Sequence, residues 1–497
     1  MKGKITLFFI LALIVLFVSG CVQPPTKEQV EKKFYEFRVE YEKKKSQGYD
    51  VTEAEILARK AKQAFDRGDY EAADRFLNEA FEALKKAEPK ETLTPTPEAT
   101  TPSTPPTTPA TPEEAKEKLS AVKVAVVYES ITDYRSIEAM TDGAYKRTID
   151  DVINILKETR ADFVFRAFWR WQPVPESPAE ATQNQILRGY TYEDLRQAIA
   201  SIKEEMPDVI ICGAIPAQKI ECVERDPITG ETLDEDETWA MALDPEKWGL
   251  GISKDEFQKE FGESQGWNYK YTHYPDITNP NFQKLILSWA KKQIDCGVDA
   301  IWIDLLFTQA ERLRGLTKDP NHPAVKESYD AACKIIDEIH EYGLSKGKYV
   351  YVGTWAFPTV DFPYPPPNLD FVTMTPSSGE ILNKKLDENE WSKNIEKVRE
   401  KLGDIPIIAF IDWADDRAPM ARFSQELSKE EQKEMIEYLD QFFQSKGIIF
   451  AYPVHGGWMG DNAKILSYGK SRVYDSLAPE FETYETIKEL ARSNSPD

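Results

Sequence analysis

The sequence has little of what metal or nucleotide chemistry requires. Its 497 residues include only five cysteines and four histidines. Neither residue type occurs at the spacing of a zinc site, such as His-Glu-x-x-His or paired Cys-x-x-Cys motifs. No glycine-rich dinucleotide loop follows the first candidate strand, and there is no P-loop. The sequence therefore predicts a protein that uses no cofactor and no dedicated metal site.

Positive charge is also scarce, because 85 acidic residues outnumber 62 basic ones and the formal net charge is -23. This balance argues against nucleic acid as a partner and favours a neutral or cationic ligand.

Two cysteines, Cys212 and Cys222, flank the start of a long insertion. A disulfide and buried free thiols are equally compatible with their positions.

One apolar run, residues 5–18, follows Lys2 and Lys4 and is short for a membrane span. It has the length of a signal-peptide core, and Val18-Ser19-Gly20-Cys21 resembles a lipoprotein cleavage motif. Residues 1–21 are thus predicted to be a lipoprotein signal, with Cys21 lipidated. An uncleaved anchor and an ordinary cleaved signal are the alternatives. Lipidation of Cys21 and an uncleaved anchor would each place the protein at the cell surface, extracellular and attached to the membrane.

Two further segments precede the largest domain. Residues 22–88 carry apolar residues three and four apart, which predicts a small all-α helical hairpin of the tetratricopeptide type. A single hairpin is too short for a peptide-binding array, so a spacer or a self-association module is expected. Residues 89–115 are mostly proline, threonine, glutamate and alanine, which predicts an extended linker without a core.

The remaining residues, 116–497, alternate Val/Ile-rich runs with amphipathic segments, the pattern of a parallel α/β fold. Residues 215–278 are predicted to form an insertion. Seven helices are predicted, six between the runs and one after the last, at residues 136–157, 192–205, 281–295, 324–345, 390–402, 429–445 and 482–491. Because eight strands close a ring, the predicted fold is a (β/α)8 TIM barrel. A doubly wound open sheet is the competing fold. The strands are expected at residues 122–128, 163–168, 209–214, 300–304, 349–353, 371–375, 407–412 and 448–452.

Acidic residues follow several of these strands. In a parallel barrel the carboxyl ends of the strands face the catalytic mouth, so an acid there is a candidate for chemistry. Asp304 ends the strand that begins after Gly297, and it is the first candidate. Glu380 and Asp412 are the candidates for a second catalytic acid. Glu129 and Asp276 are predicted to contact substrate.

Aromatic residues recur at the same predicted face. The combination of paired carboxyl groups with flat aromatic rings suits the hydrolysis of a glycosidic bond in a polysaccharide. His455 is a further candidate for substrate contact. The predicted aromatic contacts are Trp169, Trp171, Trp355, Trp413 and Trp458.

Each candidate also has a structural interpretation. Asp304 could be a cap or an ion-pair partner, and Asp412 could belong to a local ion cluster with Asp415, Asp416 and Arg417. Glu380 lies in a Ser/Gly-rich segment that could be an ordinary turn. Asp276 precedes a helix start and could organise it, whereas some of the tryptophans could belong to the core.

The segments Tyr274 to Pro280 and Gly297 to Asp304 resemble secreted barrel glycosidases related to the endo-α-1,4-polygalactosaminidases. The resemblance covers about a third of the domain. It implies a catalytic aspartate at the end of the fourth strand, which falls on Asp304, and a glutamate near the end of the sixth. The second position has no direct match, since Glu380 lies a few residues beyond that strand, and Asp412 is the substitute.

Three functions follow from these observations. The first is a cell-surface glycoside hydrolase acting through a carboxylate pair. The second is a carbohydrate-binding lipoprotein or solute receptor that retains the barrel and its aromatic cleft without catalysis. The third is a structural role, in which the helical segment and linker anchor an envelope complex.

Overall fold

The computed structural model describes residues 25–46, 49, 51, 54, 57–58, 60–61, 64–65, 69–87, 111–132, 147–468 and 471–495. The predicted signal, Cys21 and nearly all of the predicted linker lie outside these residues. The chain divides into two compact units, residues 1–102 and residues 103–497.

The first unit contains two described helices, Lys27–Ser46 and Tyr70–Lys86. They pack through the rings of Phe37 and Phe81, whose centroids are 5.3 Å apart, and through an ion pair of 2.6 Å between Lys33 and Asp74. The second helix begins where the Asp69 carboxylate accepts a hydrogen bond from the Ala72 amide. Among the described residues, no helix combines the length and apolar character that crossing a membrane would require.

The second unit is a closed ring of eight parallel strands, which confirms the predicted (β/α)8 barrel. The ring closes because β1 pairs with β8 as well as with β2: Ala125 lies opposite both Ala451 and Phe163. A short antiparallel strand, β9 Val473–Asp475, extends β8. The barrel strands are β1 Ala125–Tyr128, β2 Phe163–Trp169, β3 Ile210–Pro216, β4 Ala300–Asp304, β5 Tyr351–Trp355, β6 Phe371–Met374, β7 Ile407–Ala409 and β8 Ile449–Trp458.

Helices surround the ring close to their predicted positions. The first helix begins at Ile149, later than predicted, and Thr148 and Asp151 form a capping box at its start. No α-helix separates β5 from β6, where a 3-10 turn, Thr359–Asp361, stands in its place. The predicted helices are observed as Ile149–Glu158, Tyr192–Glu205, Pro280–Asp295, Pro323–Ser345, Glu388–Leu402, Lys429–Ser445 and Tyr484–Asn494, and shorter ones are Gln183–Leu187, Thr308–Thr317, Ser378–Asn383 and Pro419–Glu426.

Aromatic side chains fill the barrel interior. The ring of Phe165 contacts those of Trp302 and Phe410, with centroids 5.3 and 4.9 Å apart. Gly353 is required opposite Phe371, since an added Cβ would lie 2.3 Å from that ring. Burial of such large apolar surfaces is the main source of stability in a fold of this kind. The interior is therefore a packed core, and a ligand can reach only its rim.

A short helix, Pro112–Ser120, precedes β1 and packs against the barrel interior. Thr111 and Glu114 form a capping box at its start. Its Ala115 is buried, and the Ala115 carbonyl accepts a hydrogen bond of 2.9 Å from the Tyr351 hydroxyl. The described part of the barrel domain thus begins at Thr111, five residues before the predicted boundary of 116.

The predicted insertion follows β3 and leads to helix Pro280–Asp295. It contains helices Glu235–Met241 and Lys254–Gln265, and short strands Ile220–Glu221 and Thr272–His273 pair within it. A buried ion pair between Arg170, just after β2, and Glu224 fixes the insertion to the rim of the barrel. Cys212 and Cys222 are free thiols, as are Cys296 and Cys333.

Candidate functional site at the carboxyl rim

Asp304 is held by hydrogen bonds from Gln218, two residues beyond β3, and from Trp355 at the end of β5. Its Oδ2 accepts a bond of 2.8 Å from Gln218 Nε2, and its Oδ1 accepts one of 2.8 Å from the indole N–H of Trp355. The register explains this arrangement, since Pro216 of β3 lies opposite Asp304 and Trp355 ends β5. Both carboxylate oxygens are therefore fixed in place, and both donors favour the ionised form.

Asp412 lies three residues beyond the end of β7. Its backbone N–H donates to Thr375 Oγ1 at 3.1 Å, and its carbonyl accepts from the Met420 amide at 2.9 Å. These bonds fix the backbone on which the carboxyl group is carried. Asp415 and Arg417 form their own exposed ion pair of 3.5 Å. The predicted alternative, a local ion cluster around Asp412, is not supported by these contacts.

The two carboxyl groups interact electrostatically. Burial raises the pKa of Asp412 to about 7, the positive charge of Arg166 opposes this rise, and the negative charge of Asp304 adds to it. Burial also raises the pKa of Asp304, against the effects of Arg166, Trp355 and Gln218. Closure of the barrel thus brings together two acids that are 108 positions apart in the sequence (412 minus 304).

Arg166 is the cation of this site, and it is placed by an irregularity in β2. Val164 pairs with Ile211 and Phe168 with Gly213, so β2 has two more residues than β3 over this interval. Arg166 adopts a left-handed backbone conformation there, with φ of 57°. The irregularity directs a charged side chain of a buried strand to the rim, where bulges commonly reposition functional groups.

The guanidinium of Arg166 lies between aromatic rings. Its central carbon is 4.0 Å from the ring centroid of Trp413, 4.4 Å from that of Trp169 and 5.2 Å from that of Trp302. Arginine stacks favourably on such rings. One face of Trp169 and one face of Trp413 are consequently covered by Arg166, which leaves less of either ring for a sugar than the sequence predicts.

Glu129 lies at the same rim, at the end of β1. Its Oε1 is 3.8 Å from Arg166 Nη2, and its Oε2 accepts a bond of 3.3 Å from the Gly457 amide. The Glu129 backbone N–H donates to the His455 carbonyl at 2.9 Å. Gly456 has a φ of +119°, and an added Cβ would lie 2.7 Å from the Cβ of Glu129. Glu129 thus joins Asp304, Asp412 and Arg166 in one group, the rim cluster.

Glu380 is separated from this cluster by its own contacts. Its Oε2 accepts from the Ser377 amide at 2.8 Å and from the Ser377 hydroxyl at 3.0 Å, in a capping box for helix Ser378–Asn383. Its Oε1 accepts from the Asp387 amide and the Trp391 indole. Because the carboxylate is saturated by structural donors, its assignment as a catalytic acid is replaced by a capping role.

Asp276 and His455 also have structural partners. Asp276 is buried, forms an ion pair with Lys247, and accepts from Gln309 Nε2 and from the Thr278 amide at 2.9 Å each. The His455 side chain is buried, and its Nδ1 lies 3.2 Å from Asp475, which also pairs with Arg147. Direct substrate contact, predicted for both residues, is inconsistent with this burial.

The predicted tryptophans occupy different surroundings. Trp355 bonds to Asp304, whereas Trp171 stacks on Trp169 with centroids 5.3 Å apart. Trp458 ends β8, and the guanidinium carbon of Arg472 lies 5.4 Å from the centroid of its ring. Trp169, Trp171, Trp355, Trp413 and Trp458 are all partly exposed.

The sequence pattern identifies neither Arg166 nor Gln218 as a site residue, and it does not place Trp302 in the core inside the barrel. The only signal for Arg166 is a charged residue inside the otherwise apolar run of β2. Gln218 has no signal of its own, because its role follows from the register between β3 and β4.

The described residues thus form a (β/α)8 barrel with two partly buried carboxyl groups and an arginine at its carboxyl rim. No protein-family model matches the chain, and a search of curated protein sequences found no match. Among solved structures, the chain is similar to the glycoside hydrolase domain of PelA from Pseudomonas aeruginosa, at 13% identity. That alignment covers 60% of this chain and 90% of PelA's, with a TM-score of 0.31.

It is also similar to Eubacterium rectale Amy13B, with 11% identity, coverage of 77% of this chain and 82% of the other, and a TM-score of 0.43. The Nostoc punctiforme debranching enzyme gives 12% identity, coverage of 76% and 80%, and a TM-score of 0.42. These values are too low to support an argument about activity. The barrel assignment rests instead on the strand pairing of this chain.

Proposed function

We propose that this protein is a glycoside hydrolase in which Asp304 and Asp412 are the catalytic pair. The observation that carries the proposal is the difference between the two carboxyl groups. Burial raises the pKa of both groups, but Asp304 accepts two side-chain hydrogen bonds that favour its charged form and oppose the rise, whereas the pKa of Asp412 is raised to about 7. Paired acids whose surroundings differ in this way can divide the roles of acid and base between them.

In this mechanism Asp412 donates a proton to the oxygen of the departing sugar. Asp304 acts in this mechanism as the carboxylate that stabilises or attacks the oxocarbenium-like carbon, or that activates a water molecule for that attack. The separation of the carboxyl groups in the substrate complex determines the outcome, with about 5–5.5 Å for retention and about 6.5–9.5 Å for inversion. Following the anomer of the first product by proton NMR distinguishes these two routes.

The proposal is tested by Asp304→Asn and Asp412→Asn, assayed on amino-sugar and neutral polysaccharides. Both variants should lose hydrolysis by at least about 100-fold, the scale expected for a general acid or base. Glu380→Gln is the matched control, since it alters a carboxylate outside the rim cluster. Full turnover by Asp304→Asn on a cleaved substrate would remove that residue from the mechanism.

The substrate class proposed is a polysaccharide, and the resemblance to the polygalactosaminidases makes amino-sugar polymers the first to test. A second candidate is a carbohydrate-binding protein without catalysis. It is favoured by the capping role of Glu380, because the glutamate expected near β6 is then missing. Binding of a glycan by calorimetry without product after long incubation would support this candidate.

The location proposed is the outer cell surface, with a lipid on Cys21 and the segment 22–115 as a spacer. The support is the residue order Val18-Ser19-Gly20-Cys21 after a short apolar run. Labelling cells with a fatty-acid analogue should mark the wild-type protein but not Cys21→Ser. Cross-linking of residues 22–88 within the full chain would test the self-association proposed for that segment.

A further inference from the structure

Arg166 is a buried cation with few partners. Its side chain is 4% exposed, and its Nε is buried without a hydrogen-bond acceptor among the described residues. The nearest carboxylate, Glu129, is at 3.8 Å, an ion-pair distance that is too long for a hydrogen bond. A buried charge is expensive unless it is compensated, so this arrangement requires an explanation.

The surroundings hold Arg166 in one position. Trp169 and Trp413 lie at 4.4 and 4.0 Å from the guanidinium carbon, and the backbone is fixed by the register shift in β2. Trp413 directly follows Asp412, and Trp302 lies two residues before Asp304. The charge is therefore fixed close to both acids while it forms a hydrogen bond with neither.

We propose that Arg166 is a positioning residue that stabilises the singly ionised form of the Asp304 and Asp412 pair. The inference rests on the proposed function, in which one acid must be charged and the other protonated. Without a fixed cation, burial would favour protonation of both groups and leave no nucleophile or base. A freely moving or hydrogen-bonded cation would instead favour ionisation of whichever acid it contacted.

Other charged groups near the pair have partners of their own. Beyond β3, Lys219 pairs with Glu221 at 2.6 Å. On the β8 side, His455 lies against Asp475, and beyond β7 the carboxylate of Asp416 accepts from the Asp461 amide. Glu129 faces Arg166 from β1. The positive charge of Arg166 opposes the rise that burial causes in the pKa of both Asp304 and Asp412.

The test compares Arg166→Met, which keeps much of the packing and removes the charge, with Arg166→Lys, which keeps the charge. The carboxyl carbons of Asp304 and Asp412 are followed by carbon-13 NMR of the full chain between about pH 4 and 9. In Arg166→Met both titrations should move upward by about one pH unit or more, the effect of losing an opposite charge nearby. In Arg166→Lys they should stay near their wild-type positions.

The same variants give a kinetic readout where a substrate is cleaved. Both limbs of the pH profile of kcat/KM should move upward in Arg166→Met and return in Arg166→Lys. A purely structural role for Arg166 would lower activity without moving either limb. Unchanged titrations of both acids in folded Arg166→Met would overturn the proposal.

A measurement on the wild-type protein keeps the proposal testable if Arg166→Met does not fold. The Nε–H resonance of Arg166 should shift with pH in two steps that match the two carboxyl titrations. A resonance that ignores both titrations would also overturn the proposal. Because the NMR readouts need no substrate, they remain decisive if the protein proves to bind glycans without hydrolysing them, so the two proposals fail separately.

Discussion

The raised pKa of Asp412 predicts a pH-dependent stability of the barrel. In an unfolded chain this carboxyl group ionises near pH 3.8, whereas in the native protein its pKa is about 7. Between these pH values the native state retains a proton that the unfolded state has released. The free energy of unfolding therefore falls as the pH rises through this range, and the stabilisation is fully present only below about pH 4.

The magnitude follows from the same two values. At about 1.36 kcal/mol for each unit of pKa, the full difference is about 4 kcal/mol. Because Asp412 is only partly buried, solvent reduces this figure, and a loss of about 2–4 kcal/mol between pH 4 and pH 8 is expected. Replacing Asp412 with asparagine removes the titration and mimics the protonated acid. Asp412→Asn should thus match the wild type at pH 4 and exceed its stability at pH 8.

Urea unfolding of both proteins at several pH values measures this difference. Asp404→Asn is the matched control, since Asp404 is exposed and lies in the turn that leads to β7. The difference in unfolding free energy between this control and the wild type should not vary with pH. An Asp412→Asn variant that is less stable than the wild type at pH 8, or whose advantage does not grow with pH, would refute the raised pKa of Asp412.

Three further predictions concern individual contacts. Trp355→Phe removes a charge-assisted hydrogen bond to Asp304, worth about 1.5–3 kcal/mol, and should lower kcat/KM by at least about 10-fold, whereas Trp391→Phe, which removes the indole bond to Glu380, should not. Glu380→Gln weakens a capping box and should lower the free energy of unfolding by about 1 kcal/mol while hydrolysis is retained. Gly456→Ala places a Cβ 2.7 Å from that of Glu129 at a φ of +119°; thermal unfolding should show a loss of about 1–3 kcal/mol, and an unchanged midpoint would contradict the packing at this rim.

The barrel itself was accessible from the sequence because its strands are short apolar runs between amphipathic helices. Residues 300–304 match β4 at both ends, and helix Tyr192–Glu205 matches its prediction fully. Strand β7 is shorter than predicted, since Ile407–Ala409 ends before Asp412. Phe410 and Ile411 continue the apolar run without ladder pairing, and composition cannot distinguish such residues from a strand.

Glu380 and Asp276 show how a local pattern can outweigh a position at a strand end. Ser377 and Glu380 have the spacing of a capping box, which is visible in the sequence and is formed in the structure. Asp276 and Thr278 form a side-chain turn ahead of Asn279, which caps the next helix. In both cases nearby backbone amides bind the carboxylate, so the local signal was the better predictor.

Arg166 could not have been placed from the sequence, for a physical reason. A strand that is buried on both faces has no alternation of polar and apolar residues, so its register and any extra residues leave no trace in the pattern. The position of the guanidinium depends on two additional residues in β2 relative to β3, and on rings contributed by β4 and by the segment after β7. The acids can be proposed one strand at a time, but their protonation states depend on a charge whose location only the closed barrel defines.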